Sequence, residues 1–206
     1  MKPGQKFRNA IKNNKPLIIP GTINAYSAKL AELANHNSIY LSGSGVAAAS
    51  YGLPDLGVTT LENVLIDAKR ITSATSLPLL VDIDTGWGDF DAISNTIIEM
   101  GNANVAAVHI EDQIFDKRCG HRPNKQLVSI DEMQDRLKAA LDAKIDDSFF
   151  IMARTDALAS EGIEKAIERC GKYLDVGADG IFFEAAVSIE EYKDCLLYTS
   201  DAADDW

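Results

Sequence analysis

Two aspartates flank one isoleucine in Val81-Asp82-Ile83-Asp84-Thr85-Gly86-Trp87-Gly88. At a strand end, side chains two residues apart share a face. The two carboxylates then repel unless a cation lies near them. Hard oxygen ligands with room for water suit Mg2+, and Gly86 and Gly88 let the backbone turn sharply away. An isolated D-x-D serves equally well to cap a helix or solvate a loop. His109-Ile110-Glu111, followed by Asp112, again sets two polar groups on one side of a strand end. The H-x-E spacing occurs in zinc deaminases, but no P-C-x-x-C follows it. What remains is a satisfied core histidine or a place around the water shell of a metal. In Lys117-Arg118-Cys119-Gly120-His121-Arg122 a cysteine stands among four potential cations. Cations stabilise a thiolate, so Cys119 is a candidate to give or take a proton near neutral pH; the plain alternative is a solvated basic loop. Arg154 and Glu184 each close an apolar run. A guanidinium there suits a substrate carboxylate, an internal ion pair being the other reading. Ser42-Gly43-Ser44-Gly45 offers N–H groups and hydroxyls to an anion, or is only a turn.

These residues sit at the ends of short apolar runs that alternate with helical patterns. The expected strands are 17–20, 38–41, 79–83, 105–110, 149–153 and 180–183. The helices are expected from Asn24 to about His36, over 63–75 behind a Thr60 cap, over 91–101, from Ser129 to about Lys144, over 162–176 ending at Gly177, and onward from Ser188. Nearly wholly apolar strands are those of a parallel sheet covered on both faces. Six β-then-α units imply either a doubly wound sheet or a (β/α)8 TIM-type barrel. The barrel is preferred, because polar residues close nearly every strand: Thr22 and Asn24, Ser42, Asp82 and Asp84, His109 and Glu111, Arg154 and Asp156, Glu184. Barrels build their active sites at that face. A doubly wound sheet calls for a Gly-rich phosphate turn after its first strand, and Gly21-Thr22-Ile23-Asn24 is not one. Only six of eight units are legible, so an incomplete barrel is expected over residues 1–195, with a short N-terminal helix and the last two units missing. Leu196–Trp206 reads as a non-native tail translated from adapter sequence.

Composition narrows the function class. With 46% hydrophobic and 25% charged residues, the chain is globular rather than disordered. A formal charge of −11 disfavours nucleic acid and anionic membranes as partners. No apolar run reaches the roughly 20 residues needed to span a bilayer. Three irregularly spaced cysteines argue for reduced thiols, hence a cytoplasmic setting.

With these residues in hand, the chain resembles the isocitrate lyase / phosphoenolpyruvate mutase superfamily, and within it the branch that cleaves 2-methylisocitrate. The resemblance is carried by PGTINA (20–25), IYLSGSGVAA (39–48), GLPDLGVTTLENV (52–64), LPLLVDIDTGWG (77–88), HIEDQ (109–113), KRCGHRPNK (117–125), IMARTDALA (151–159) and GIFFEA (180–185), and covers about residues 3 to 194. It implies a Mg2+-dependent lyase, with Mn2+ as the alternative ion, giving pyruvate and succinate in propionate breakdown. Asp82 and Asp84 are then the metal carboxylates, with Asp55, His109 and Glu111 near the metal's water shell. Ser42, Gly43, Ser44, Cys119, Gly120, Arg154 and Glu184 are implied to touch substrate. Cys119 is implied as the acid on a mobile flap, with His121 beside it and Tyr40 near the cleaved bond. A homotetramer is implied for a full-length chain. Where the lyases usually carry a third Gly, this loop reads S-G-S-G. Two other readings stay open: a related enzyme acting on another 2-hydroxy or 2-oxo acid, and an inactive fragment.

Overall fold

A computed structural model describes residues 1–199 apart from His121 and Pro123, with side chains up to residue 196. The elements follow in the order α1 (Pro3–Asn13), α2 (Ala25–Leu33), β1 (Ile39–Leu41), α3 (Gly43–Tyr51), α4 (Leu61–Ala74), β2 (Leu79–Asp82), α5 (Phe90–Asn102), β3 (Ala107–Glu111), α6 (Ile130–Asp142), β4 (Phe150–Thr155), α7 (Leu158–Glu161), α8 (Ile163–Val176), β5 (Gly180–Phe183) and α9 (Ile189–Thr199). The strands form one parallel sheet in the order β1-β2-β3-β4-β5. Each new strand joins the same edge, as in a segment of barrel wall, and the order never reverses as it does in a doubly wound sheet.

Three expectations need correction. Residues 17–20 do not form a strand: prolines at 16 and 20 remove backbone donors, and only a bridge from Gly21 to Tyr40 remains. Two hydrogen bonds still seat the segment beside β1, from Tyr40 N–H to the Pro20 carbonyl at 3.0 Å and from Thr22 N–H to the Tyr40 carbonyl at 2.7 Å. The described sheet therefore has five strands rather than six. Ser42–Gly45 is not a loop either. Ser42 caps α3, its hydroxyl accepting from the Gly45 N–H at 3.3 Å, and residues 43–45 make the first helical turn. Lastly, β2 ends at Asp82, while Asp84 lies in the left-handed region at φ 48°. The two aspartates converge through a turn, not through strand alternation.

The helices begin where small polar side chains can accept orphan N–H groups. Asn24 and Thr60 make reciprocal capping boxes, and Asp89 caps α5. Ser129 caps α6, but Glu132 does not return the bond, because its carboxylate takes Arg136 at 2.7 Å instead. Along the strands, odd and even positions divide the core. Ile39, Leu41, Leu79, Val81, Val108, Ile110, Ile151 and Ala153 pack under the helices, each worth about 1.5–3 kcal/mol when a large side chain is fully buried. Leu80, Ala107 and Phe150 form a separate cluster on the other face, with Tyr40 and Met152 against it. Helix α1 covers the end of the sheet where the strands begin. Phe7 meets Phe150 edge-on at 5.2 Å between centroids, and Arg8 donates to the Ser148 carbonyl at 3.0 Å and to Asp179 at 2.7 Å. Gly4 presses so closely on the Ser148 and Phe149 backbone that a Cβ would collide with it.

Candidate active site

The inner face changes character along its length. Leu80, Ala107 and Phe150 are apolar; two residues on, the same face carries Asp82, His109 and Met152, and then Glu111, Arg154 and Phe182 in register. Period-two alternation thus delivers a charged layer at the strand ends above an apolar one. Asp82, Asp84, His109, Glu111, Asp156 and Glu184 are all buried there, and so are Lys117, Lys125 and Arg154.

Asp82 and Asp84 meet at Gly43. A Cβ on Gly43 would lie 3.2 Å from Asp82 Oδ2 and 3.3 Å from Asp84 Oδ1, and the Gly43 N–H donates to Asp82 at 3.2 Å. Asp82 Oδ1 also accepts from the Asp84 N–H at 3.0 Å. Burial and the neighbouring Asp82 charge push the Asp84 carboxyl up to about 6. Burial acts on Asp82 in the same sense, but His109, Lys117 and Arg154 outweigh it and hold the carboxyl near 2. Burial draws His109 down to about 4 against the pull of Asp82, so the imidazole is neutral at pH 7. Its Nε2 is 2.9 Å from the Tyr40 hydroxyl and its Nδ1 is 3.7 Å from Asp82. Tyr40, His109 and Phe182 stack in a row, with ring centroids 5.6 and 5.0 Å apart. Burial and Asp82 raise the Tyr40 phenol above its ordinary range, so at neutral pH it is a hydrogen-bond donor rather than a phenolate.

This donor set fits a divalent cation. Among the described residues, His109 Nδ1 and both Glu111 oxygens are buried without a hydrogen bond, and burial raises the Glu111 carboxyl well above its ordinary range. Unsatisfied oxygens beside two converging carboxylates are what a hydrated Mg2+ completes, since it is usually held by one or two carboxylates and keeps several waters. No group of three His, Cys, Asp or Glu ligands converges among the described residues. Part of the compensating charge is built in. The Lys117 ammonium lies 2.5 Å from Asp84 and 2.9 Å from Asp55.

That placement revises the reading of the basic loop. Lys117 serves the aspartates, not the Cys119 thiol, because a buried ammonium goes to the nearest carboxylates. Cys119 is half-buried. It lines a cavity of about 530 Å3 with Asp55, Leu56, Asp116, Arg118 and Arg122. His121 lies outside the described residues. Gly120 is seated on the Arg154 guanidinium and on Glu184, where a Cβ would stand 2.7 Å from Glu184 Oε1. The Gln113 side chain fixes Arg118 by accepting from its N–H at 3.0 Å and donating to its carbonyl at 2.8 Å. Arg154 makes the internal ion pairs foreseen as its alternative reading. Nε and Nη2 grip Asp156 at 3.0 and 3.1 Å, with Glu111 at 3.3 Å and Glu184 at 3.6 Å. Its guanidinium also lies over Phe182, 5.4 Å from the centroid. Ser42 and Ser44 exchange a hydroxyl hydrogen bond at 2.9 Å at the start of α3, and Ser44 is exposed.

Sequence reasoning placed Asp156 among the polar strand ends but missed the long-range partners that hold this cluster in place. Asp156 grips Arg154 and Lys125 together. The Asp112 carboxylate accepts from the Thr155 hydroxyl at 2.7 Å, the Tyr173 hydroxyl at 2.8 Å and the Asp156 N–H at 2.9 Å. For Asp156 a signal existed, since it stands two residues after Arg154. Tyr173 and Arg169 reach Asp112 from α8, with Arg169 at 3.4 Å, and no local spacing announces that.

Residues 7–197 match the family model described as phosphoenolpyruvate phosphomutase. A 2-methylisocitrate lyase of Shewanella oneidensis is 60% identical over 92% of this chain and 65% of its own length. The Escherichia coli protein of the same name is 54% identical over 93% of this chain and 65% of its own. The chain thus spans a little under two thirds of these curated relatives. Among solved structures, the crystal structure of a 2,3-dimethylmalate lyase, a PEP mutase/isocitrate lyase superfamily member, superposes with a TM-score of 0.90 at 34% identity, over 99% of this chain and 68% of that one. Among the described residues, no helix is long and apolar enough to cross a membrane.

Proposed function

This chain belongs to the phosphoenolpyruvate phosphomutase family, and on that premise we propose that its polar layer is the active site of a lyase cleaving 2-methylisocitrate to pyruvate and succinate, with Mg2+ (or Mn2+) held by Asp82 and Asp84. The observation that carries the reading is the meeting of those two carboxylates at Gly43, across the strand ends from a Cys119–Gly120 turn seated on Arg154 and Glu184.

The reaction deprotonates a tertiary alcohol, whose proton passes to water, breaks the adjacent carbon–carbon bond and leaves a carbanion next to a carboxylate that must be protonated. When bound, the ion lowers the pKa of the alcohol and anchors the pyruvate half. Asp55, His109 and Glu111 would border its water shell, and both Glu111 oxygens are buried without a hydrogen bond among the described residues. The α3 N-terminus, with Ser42, Gly43 and Ser44, presents N–H groups and hydroxyls to the pyruvate carboxylate. Tyr40 is a neutral donor beside His109 and orients the oxygen of the breaking bond. Arg154 and Glu184 contact the succinate half. The Cys119 S–H delivers its proton to the carbanion, leaving a thiolate that recovers a proton from water. Gly120, packed on Arg154, keeps water from reaching the carbanion first. We assign a homo-oligomeric, cytoplasmic enzyme as part of the same proposal.

The test is pyruvate release by the intact protein from 2-methylisocitrate, isocitrate and 2,3-dimethylmalate. Turnover is expected to be fastest on 2-methylisocitrate, lost on chelation, and lowered at least about a thousandfold by Cys119→Ser, the scale of a missing general acid. Full turnover after chelation or after loss of the thiol would falsify the reading.

A further inference from the structure

The lysine at the far end of KRCGHRPNK points into the protein. Its side chain is 1% exposed. Lys125 Nζ donates to the Gly120 carbonyl at 2.7 Å and to Asp156 Oδ1 at 2.9 Å. Asp156 is wholly buried, and the same carboxylate holds Nε and Nη2 of Arg154. The Asp156 backbone is fixed in turn, its N–H donating to Asp112 at 2.9 Å. One ammonium and one carboxylate therefore connect the end of β4 to the turn that carries Cys119. At the point of connection Gly120 rests against Arg154 and Glu184 with no space for a side chain.

Removing either partner would be felt at once. Without the ammonium, Asp156 keeps only Arg154, and the Gly120 carbonyl loses its buried donor. The turn would then keep the Gln113 bonds to Arg118 and its packing on Arg154 and Glu184, but lose its tie to Asp156. From this geometry we propose that Lys125 and Asp156 are positioning residues: their buried pair clamps the Cys119–Gly120 turn onto Arg154 and thereby fixes the place and accessibility of the Cys119 thiol. Its catalytic meaning rests on the reading of Cys119 as the proton donor; the clamp itself does not.

The chain offers a probe that needs no turnover. Cys170 and Cys195 are 0% and 6% exposed, so Cys119 is the thiol that reacts fast with dithionitrobenzoate. Lys125→Met and Asp156→Asn are each expected to speed that phase about tenfold with one thiol still reacting, since an unpaired buried charge loosens its surroundings. The double variant should be no faster than the faster single, because both act through one contact. Lys125→Arg keeps the charge but carries a larger, planar donor group, so its rate should fall between that of Lys125→Met and the unsubstituted rate. The clamp is overturned if both single variants label at the unsubstituted rate, or if in both of them all three thiols react together, which marks global opening. In the intact protein, Lys125→Met should lower kcat for pyruvate release about tenfold or more with KM little changed, as expected when a reacting group is misplaced, whereas Asp156→Asn, which also frees Arg154, should raise KM as well. Faster labelling with no pyruvate from any form upholds the clamp and removes the lyase reading. Unchanged labelling with normal turnover does the reverse.

Discussion

Replacing Asp84 with asparagine is expected to make the metal-free protein more stable and worse at its proposed task. The folded carboxyl titrates at about 6 against an ordinary 3.8. Folding therefore favours the protonated side chain. The stability tied to that neutral form is fully present below 3.8 and is lost as pH rises through 6. At pH 7 the ionised side chain costs about 3 kcal/mol, roughly two pH units at about 1.36 kcal/mol each. Asp84→Asn removes the charge and keeps the shape but also takes a carboxylate from Lys117, which Asp55 still holds, so it should recover at most about 3 kcal/mol at pH 7 and nothing below pH 4. The same substitution removes a metal carboxylate, so Mn2+ affinity should fall about tenfold or more. Divalent ion should offset the cost in the unsubstituted protein, adding about 2.7 kcal/mol at a hundred times the dissociation constant. Urea unfolding at pH 7 and pH 4, with chelator and with Mg2+, reads the stability, and Mn2+ paramagnetic resonance reads the binding. If the variant is no more stable at pH 7 without metal, or is equally favoured at pH 4, the electrostatic argument is wrong.

Gly120→Ala puts a methyl against Arg154 and Glu184, where the φ of Gly120 makes no demand of its own. We expect pyruvate release by the intact protein to fall about a hundredfold, as for a reacting group displaced by about 1 Å, with a stability loss of about 1–3 kcal/mol from the crowding. Asp112→Ala strips the acceptor from the Thr155 and Tyr173 hydroxyls and the Asp156 N–H. It should cost about 3–5 kcal/mol in urea unfolding, and a loss under about 1 kcal/mol would show that water replaces the carboxylate. Among the described residues β5 pairs with β4 alone, which leaves a sheet edge open to pairing. Sedimentation velocity should show association that grows with concentration, and one monomer boundary throughout would contradict this.

The alternation of strands and helices was legible because each element satisfies its own needs locally. Thr60, Ser129 and Gly177 mark helix ends by their own chemistry. The strand-end residues were legible too, since parallel strands leave polar side chains only where the sheet stops. Turn conformation escaped. Asp84 pairs with Asp82 through a left-handed backbone that a D-x-D spacing does not reveal, and Ser42-Gly43-Ser44-Gly45 opens a helix despite its glycines. Long-range charge pairing escaped as well. Nothing near Lys117 in the sequence tells that its ammonium leaves the cysteine for Asp84 and Asp55. Lys125 likewise carries no local sign of Asp156, which the fold brings to 2.9 Å from its ammonium.

Helix α1 is made early and placed late. Arg8 bonds to residues 140 to 171 positions further along, and Gly4 and Phe7 rest on Ser148 and Phe150. During synthesis the helix finds part of its seat at Ser76 and Leu80, but the contacts of Arg8 and Gly4 wait until β4 and the turn at Asp179 have left the ribosome, because contacts so distant in sequence must await loop closure. Until then Phe7 lacks the ring of Phe150 and is only partly covered by Leu80, Ala106 and Ala107.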